Sequence, residues 1–219
     1  MSKALIEFGC SCAGKGVVGK KIKQLVGDSL TIISTGEYFR SHKELCGHAH
    51  NGLLIENRHV MEFFRNEILG CKQGDIILDS PRTHDQVVLL ADMLKQFGYT
   101  TIASVYVDTS ITNCKKRMEA RAHKEHRDDD RNMKAIQTRL DNFLVESPSV
   151  VTALQQYTDP YFHANGDKDL AGLESEASVI AHEVFGCAHP KIHHVIRSRE
   201  RSIRSGPSLS LSSRNHHRH

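Results

Sequence analysis

The sequence predicts an α/β fold of three layers, with helices on both faces of a five-stranded parallel sheet. Short apolar runs alternate with longer amphipathic stretches throughout residues 1–186, which is typical of strands that are followed by covering helices. The chain has 219 residues, of which 39% are hydrophobic and 25% charged, as in a globular domain with its own core. We therefore expect one catalytic or binding domain over residues 1–186.

Short apolar runs predict the strands, in the order 4–8, 30–33, 75–78, 101–107 and 161–164, the last being the weakest. Amphipathic patterns predict helices at 15–26, 36–44, 53–69, 83–97, 111–121, 131–145 and 170–185. In the helix at 83–97, apolar side chains recur every three or four positions and Gly98 supplies a stop.

Several classes of protein are disfavoured by the composition. No apolar run approaches the ~18 residues of a membrane-spanning helix, and the first residues lack the layout of a signal peptide. The six cysteines are scattered without the spacing of a disulfide framework. We expect a cytoplasmic protein with reduced thiols that is a monomer and does not bind membranes.

The small net charge of +3 conceals an uneven distribution. Residues 187–219 hold seven Lys and Arg against one Glu, a net charge of +6, which leaves residues 1–186 at −3. This serine- and histidine-rich tail has too few apolar residues for a core, so we predict that it is mostly disordered. Two roles stay open for it, a solvated end without function or a weak contact with a polyanion such as a nucleic acid or an anionic surface.

The most specific local feature follows the first strand and opens the first helix. Gly9, Gly14 and Lys15 fit the pattern G-x-x-x-x-G-K. A tight glycine turn at a helix N-terminus presents converging amides to phosphate oxygens, and the lysine reaches the same phosphates. The segment therefore predicts a phosphate-binding loop.

This loop departs from the common pattern in two ways. Gly16 and then Val17 stand where a Ser or Thr would offer a hydroxyl to Mg²⁺ or phosphate. The second departure is Cys12, which lies between the two glycines of the pattern. Its thiol is either oxidant-sensitive or a small inert filler. We favour the filler.

Five further motifs follow the loop in order. The first two are Ser34-Thr-Gly-Glu-Tyr-Phe-Arg40 and Gly52-Leu-Leu-Ile-Glu-Asn57. The third is Ile77-Leu-Asp79-Ser-Pro81-Arg82-Thr83 with Gln86 after it. The fourth is Arg117-x-x-x-Arg121 with Arg127-Asp-Asp-Asp130 and Arg139-Leu140, and the fifth is Asn165-Gly166-Asp167-Lys168.

In this order the six motifs resemble the adenylate kinase family of nucleoside monophosphate kinases, over about residues 3–185. The chain departs from the family pattern at Asn57, where the family has Asp, and before Pro81, where one residue is missing. The resemblance implies a P-loop fold with a small helical segment for the nucleoside monophosphate (NMP) at 35–69. Only residues 122–126 separate Arg121 from Arg127, which implies a very short lid without zinc.

The resemblance also implies a role for each matching residue. ATP would be bound by Gly9, Cys12, Ala13, Gly14, Lys15, Gly16, Val17, Arg117 and Gly166. The NMP would be bound by Thr35, Arg40, Ile55, Arg82 and Gln86. Catalysis would rest on Lys15, Arg82, Arg117, Arg121, Arg127 and Arg139, and Asp79 would hold Mg²⁺ through water.

These residue types suit phosphoryl transfer, which brings several phosphates together and depends on positioning and charge neutralisation. Thr35 and Gln86 favour AMP as the acceptor over UMP or CMP, since an amide pairs with an adenine edge. A metal site at Cys46, His48 and His50 is disfavoured because these residues precede the acceptor-binding helix.

The sequence thus predicts a kinase that moves the γ-phosphoryl of Mg·ATP to AMP. Two alternatives stay open, a UMP/CMP-type kinase and a nucleotide-binding regulator or scaffold with impaired catalysis. Val17, Cys12, Asn57 and the short turn before Pro81 motivate the regulator.

Overall fold

Parallel strands form the centre of the protein. A computed structural model describes residues 2–42, 51–71, 74–79, 81–124 and 132–187, without the side chains of Glu37, Arg40 and Ser41. The strands are β1 (Lys3–Phe8), β2 (Leu30–Ser34), β3 (Asp75–Asp79), β4 (Thr101–Asp108) and β5 (Tyr161–Asn165). Their order in the sheet is β2-β3-β1-β4-β5 and all the pairings between them are parallel. The predicted five-stranded parallel sheet is confirmed.

Helices connect successive strands. They are α1 (Lys15–Val26), α2 (Thr35–Ser41), α3 (Asn57–Gly70), α4 (His84–Gln96), α5 (Ile111–Lys124), α6 (Met133–Tyr157) and α7 (Leu170–Phe185). Within the described residues, none is both long and apolar enough to cross a membrane.

Alternate residues of the sheet build two separate cores. Ile6, Phe8 and Leu78 pack on one face with apolar residues of α3, α4 and the second half of α6. Leu5 and Ile77 pack on the opposite face with residues of α1, α5, α7 and the first half of α6. Because both faces of the strands are covered, their sequences are apolar nearly throughout.

Several helix boundaries differ from the prediction, and the largest differences concern three helices. The helix predicted at 131–145 begins at Met133 and continues to Tyr157, through Pro148. Val150, Ala153 and Leu154 recur at helical spacing beyond the proline and are fully buried, so their packing outweighs the backbone hydrogen bond that proline removes.

The helix predicted at 53–69 begins only at Asn57, since residues 53–56 are extended loop. The helix predicted at 36–44 is described over Thr35–Ser41, and its last predicted residues lie outside the described part.

A carboxyl group is buried beneath the phosphate loop. Glu7 on β1 is 1% exposed, and its Oε1 has no hydrogen-bond partner among the described residues. Glu7 pairs in register with Asp79 on β3. Its Oε1 lies 3.2 Å from the place of a Cβ at Gly19, so a larger residue at this position of α1 would crowd it. Burial raises the pKa of Glu7 well above its ordinary value, and Asp79 raises it further, while Lys15 opposes both.

We expect Glu7→Gln to remove a pH-dependent loss of stability. A carboxyl with a raised pKa keeps its proton in the folded protein, so stability falls as pH rises from the unfolded pKa towards the folded one. Relative to wild type, the variant should gain ~1 kcal/mol or more of unfolding free energy between about pH 5 and pH 8. Urea denaturation without divalent cations measures this gain.

The matched control is Glu62→Gln, because Glu62 is exposed on α3. It should keep the wild-type dependence on pH. Parallel pH profiles of Glu7→Gln and wild type would contradict the raised pKa.

Candidate functional site

A cleft of about 1060 Å³ opens at the carboxyl ends of the strands. Its walls come from the loop after β1, from α2, from residues 52–55, and from α5, α6 and the start of α7. β1 is followed by a helix on one face of the sheet and β3 by a helix on the other. Ligands of open α/β sheets bind at such a crossing point between neighbouring strands.

The loop between β1 and α1 has a backbone that glycine makes possible. Gly9 and Gly14 have φ angles of +153° and +117°. A Cβ at Gly9 would lie 2.6 Å from the carbonyl oxygen of Val107, so a larger residue would displace the loop from β4. Ala13 N donates to Cys10 O at 3.1 Å, which closes the turn. The loop therefore packs against the sheet in a compact shape, as the motif predicts.

Lys15 folds back over this loop. Its Nζ donates to the carbonyl oxygens of Gly9 at 2.9 Å and Cys10 at 3.0 Å. The same Nζ lies 3.8 Å from Asp79 Oδ1, and the lysine side chain is only 9% exposed. The ammonium group is thus fixed between the loop and the end of β3.

Asp79 is oriented by the start of α2. Ser34 Oγ donates to Asp79 Oδ2 at 3.4 Å, and Thr35 Oγ1 donates to the carbonyl oxygen of Asp79 at 3.2 Å. The Asp79 side chain remains 31% exposed and lines the cleft. Its carboxylate is therefore available to a ligand in the cleft.

Arg117 on α5 ties together two turns on the α5 side of the cleft. Its Nη1 donates to the carbonyl oxygens of Cys12 at 3.4 Å and Ala13 at 3.2 Å, and its Nη2 donates to Gly166 O at 2.9 Å. Thr109 Oγ1 also donates to Ala13 O, at 2.7 Å. A Cβ at Gly166 would overlap Thr109 Oγ1 and lie 2.5 Å from Ala13 O, so only glycine fits between the two turns.

The opposite side of the cleft holds a buried amide. Gln86 is 1% exposed; its Oε1 accepts from Arg82 N at 2.7 Å and its Nε2 donates to Asn57 Oδ1 at 3.0 Å. Both bonds orient the amide and leave one further donor and one further acceptor position. Asn57, which differs from the family pattern, is thus one of the two groups that orient Gln86.

Residues of α6 form a third wall. Arg139 lines the cleft, and its Nε donates to Ala135 O at 3.4 Å. Asn142 Nδ2 donates to Gly52 O at 3.0 Å, which joins α6 to the loop before α3. A Cβ at Gly52 would overlap Ala135 O, so the loop backbone rests directly on the helix.

Most predicted site residues meet in this one cleft. Those that line it are Cys12, Ala13, Gly14, Lys15, Gly16, Val17, Thr35, Ile55, Asp79, Arg82, Gln86, Arg117, Arg121 and Arg139. Gly9 and Gly166 lie behind the cleft and contribute carbonyl oxygens to Lys15 and Arg117.

Other predicted residues lie outside the described part of the chain. These are Arg127, the side chain of Arg40, the cluster of Cys46, His48 and His50, and all of the basic tail after Cys187. Of the lid predicted at 122–126, the first three residues complete α5 and the last two are not described. Within the described ranges, no group of three or more His, Cys, Asp or Glu residues is placed to hold a metal ion.

Several polar residues of the cleft were not predicted from the motifs, among them Lys20 and Asn142. Lys20 follows Val17 by three positions on α1, and Asn142 follows Arg139 by three on α6. Helical spacing places each on the same face as a predicted residue, so helical periodicity could have predicted both as residues of the cleft.

Comparisons with known proteins bear on the family of this chain. A family model described as an AAA domain matches residues 8–137, which is more than half of the chain. An adenylate kinase from Leptospira biflexa is 30% identical over 151 residues, 64% of this chain and 80% of that protein.

Adenylate kinases from Chlamydia caviae and Thermosipho melanesiensis are each 30% identical over 126 and 127 residues. Each match covers 53% of this chain and only 58% of the relative's own length. The phosphate loop, the parallel sheet and these similarities lead to one conclusion: the chain belongs to the adenylate kinase family.

Proposed function

We propose that the protein transfers the γ-phosphoryl group of ATP to a nucleoside monophosphate, with AMP as the preferred acceptor. The observation that carries this proposal is the composition of the cleft. A phosphate loop with its lysine and four arginines, Arg82, Arg117, Arg121 and Arg139, line one cleft of about 1060 Å³. Such a cleft suits two nucleotides better than one because its positive charges lie along both ends.

Phosphoryl transfer depends chiefly on charge and position. Two nucleotides bring five phosphates together in the reacting complex, and the moving group spreads negative charge over its oxygens. Guanidinium groups are permanently charged and offer rigid forks of donors to those oxygens. In the proposal Arg121, Arg139 and Lys15 neutralise the transferring group, and Arg127 assists them at the donor.

The ATP end is proposed at the phosphate loop. Residues 12–17 line the cleft there, and Arg117 holds the loop carbonyls and Gly166 in one arrangement. ATP that binds to these groups meets a loop that is already organised, which lowers the entropic cost of positioning its phosphates.

The acceptor end is proposed between α2 and α4. Arg82 and Arg40 would bind the monophosphate, while Thr35, Ile55 and Gln86 surround the base. The remaining donor and acceptor of the Gln86 amide match the adjacent acceptor and donor on the edge of adenine. The bond between Asn142 and Gly52 O holds the loop before α3 against α6. In the proposal, the segment between α2 and α4 closes over the acceptor and excludes water.

Asp79 is the residue that fits Mg²⁺ in this cleft. Mg²⁺ prefers oxygen ligands, keeps several waters and uses one or two carboxylates. The half-buried Asp79 carboxylate beside Lys15 is such a donor, and it would hold the ion through water. When bound with ATP, Mg²⁺ supplies positive charge to the phosphate oxygens.

The proposal also includes the location of the protein, its oligomeric state and the role of its basic tail. We place the protein in the cytoplasm as a monomer, and we assign the basic tail at most a weak contact with polyanions. A UMP/CMP-type kinase and a catalytically impaired regulator are the alternatives, and the first two experiments below separate them from the proposal.

The first test removes the ammonium group of Lys15. The wild-type protein should form ADP from ATP and AMP in a coupled assay. Lys15→Ala should lower kcat by about 100-fold or more, because it removes one preorganised positive charge from the transferring group. Lys95→Ala is the matched control because Lys95 is exposed on α4 and pairs with Asp92. Wild type that binds ATP but is no faster than Lys15→Ala would indicate the regulator instead.

The second test concerns the acceptor base. We expect kcat/KM for AMP to exceed that for UMP and CMP by about tenfold or more, which corresponds to ~1.4 kcal/mol. Gln86→Glu keeps an acceptor for Arg82 N but loses the donor, so it should reduce kcat/KM for AMP to a similar extent. Gln96→Glu, at the exposed end of α4, should not. A wild-type preference for UMP or CMP would favour the UMP/CMP-type enzyme.

The third test concerns the fork of Arg117. Arg117→Lys keeps the charge but cannot bind three carbonyl oxygens in the same geometry. We expect KM for ATP to rise by about tenfold, with a smaller change in KM for AMP. Lys116→Arg, at the adjacent exposed position, should leave both KM values unchanged. Equal effects on ATP and AMP would contradict the assignment of Arg117 to the donor end.

A further inference from the structure

A closed set of hydrogen bonds holds the Gln86 side chain at the proposed acceptor end of the cleft. Arg82 N donates to Gln86 Oε1 at 2.7 Å, and Gln86 Nε2 donates to Asn57 Oδ1 at 3.0 Å. Asn57 Oδ1 also accepts from Thr83 Oγ1 at 3.5 Å, and Thr83 Oγ1 accepts from Gln86 N at 3.3 Å. These bonds join the start of α3 to the start of α4. Asn57 is thus bound directly to a side chain that lines the cleft.

The direction of these bonds follows from one backbone group. A backbone N–H can only donate, so the oxygen of the Gln86 amide must face Arg82 N. The amide nitrogen of Gln86 then faces Asn57, which must present its own oxygen. Thr83 donates to that same oxygen, which agrees with this orientation of Asn57. A reversed Gln86 amide would set two donors against each other at Arg82 and two acceptors against each other at Asn57.

We propose that Asn57 is a specificity-determining positioning residue, which locks the polarity of the Gln86 amide so that the acceptor end selects adenine over hypoxanthine. In the locked orientation Gln86 offers one N–H and one oxygen lone pair to a base. Adenine presents an amino donor beside a ring-nitrogen acceptor, whereas hypoxanthine presents a keto acceptor beside a ring N–H. The first pattern complements the locked amide, and the second opposes it at both atoms. The inference rests on the proposed function, which assigns Gln86 to the acceptor base.

Burial makes this selection effective. Gln86 is only 1% exposed, so water does not replace a bond that the base fails to make. Hypoxanthine must therefore leave the amide unpaired or force it to reverse, at the cost of its bonds with Arg82 N and Asn57. Without the oxygen of Asn57, one of the two bonds that resist reversal is gone. Asn57 thus acts through Gln86 and need not touch the base.

The experiment compares the binding of AMP and inosine monophosphate (IMP) to the full-length protein. Each is titrated calorimetrically while Mg²⁺ and a non-hydrolysable ATP analogue occupy the donor end. The two nucleotides share ribose and phosphate and are nearly equal in size, so the ratio of their affinities reports the edge of the base. We expect wild type to bind AMP at least about tenfold more tightly than IMP.

Three substitutions separate bond direction from simple structural damage. Asn57→Leu removes the acceptor with little change in volume and should lower the AMP-to-IMP affinity ratio by about fivefold. Asn57→Asp keeps an oxygen towards Gln86 and Thr83, so it should retain most of the wild-type ratio. Asn66→Leu, at an exposed position of α3, is the matched control and should leave the ratio unchanged.

The ratio is insensitive to a partly unfolded sample, because both affinities are measured on the same protein. If Asn57→Leu does not fold, Asn57→Ala takes its place. An unchanged ratio in these variants would overturn the role of Asn57, and so would a ratio that Asn57→Asp lowers as much as Asn57→Leu.

A separate assay of ADP formation distinguishes this inference from the proposed function. Wild type that forms ADP from ATP and AMP but binds AMP and IMP equally would overturn the locked polarity and leave the proposed function intact. Wild type that binds neither nucleotide would contradict the acceptor end of the proposed function, and the inference would fall with it.

Discussion

The site depends on how the backbone carbonyls of the phosphate loop are held. Lys15 binds two of them, Arg117 binds two others, and Thr109 binds one that Arg117 also contacts. These donors come from α1, from the end of β4 and from α5, so the loop is joined to three parts of the fold. A loop held in this way presents a prepared surface to phosphate, and its shape does not have to be created by the ligand.

Close packing around the phosphate loop also affects its ionisable side chains and its neighbouring glycines. Glu7 and Asp79 lie at the ends of two adjacent strands, and the Lys15 ammonium group lies beside Asp79. Burial together with the charge of Asp79 raises the pKa of Glu7. Gly19 leaves space for the Glu7 carboxyl, and Gly166 leaves space for Thr109 against the loop. Substitutions at these glycines would therefore alter the charges and the loop together.

Sequence and structure agree best where an apolar pattern specifies an element. The five strands and the first helix lie where the pattern predicts them, because burial on both faces leaves a continuous apolar signature. The end of α6 was missed, since Pro148 is an unfavourable residue inside a helix and only the packing of Val150 and Leu154 compensates for it. Local propensity contains no information about such compensation.

The sequence by itself determined the order of the strands along the chain, the phosphate loop and the resemblance to the family, because each strand and each motif is encoded by residues close together in the chain. Only the tertiary structure decided that Asn57 orients Gln86 and that Asn142 holds Gly52. These pairs are distant in sequence and are brought together by packing on the sheet, so no local pattern could reveal them.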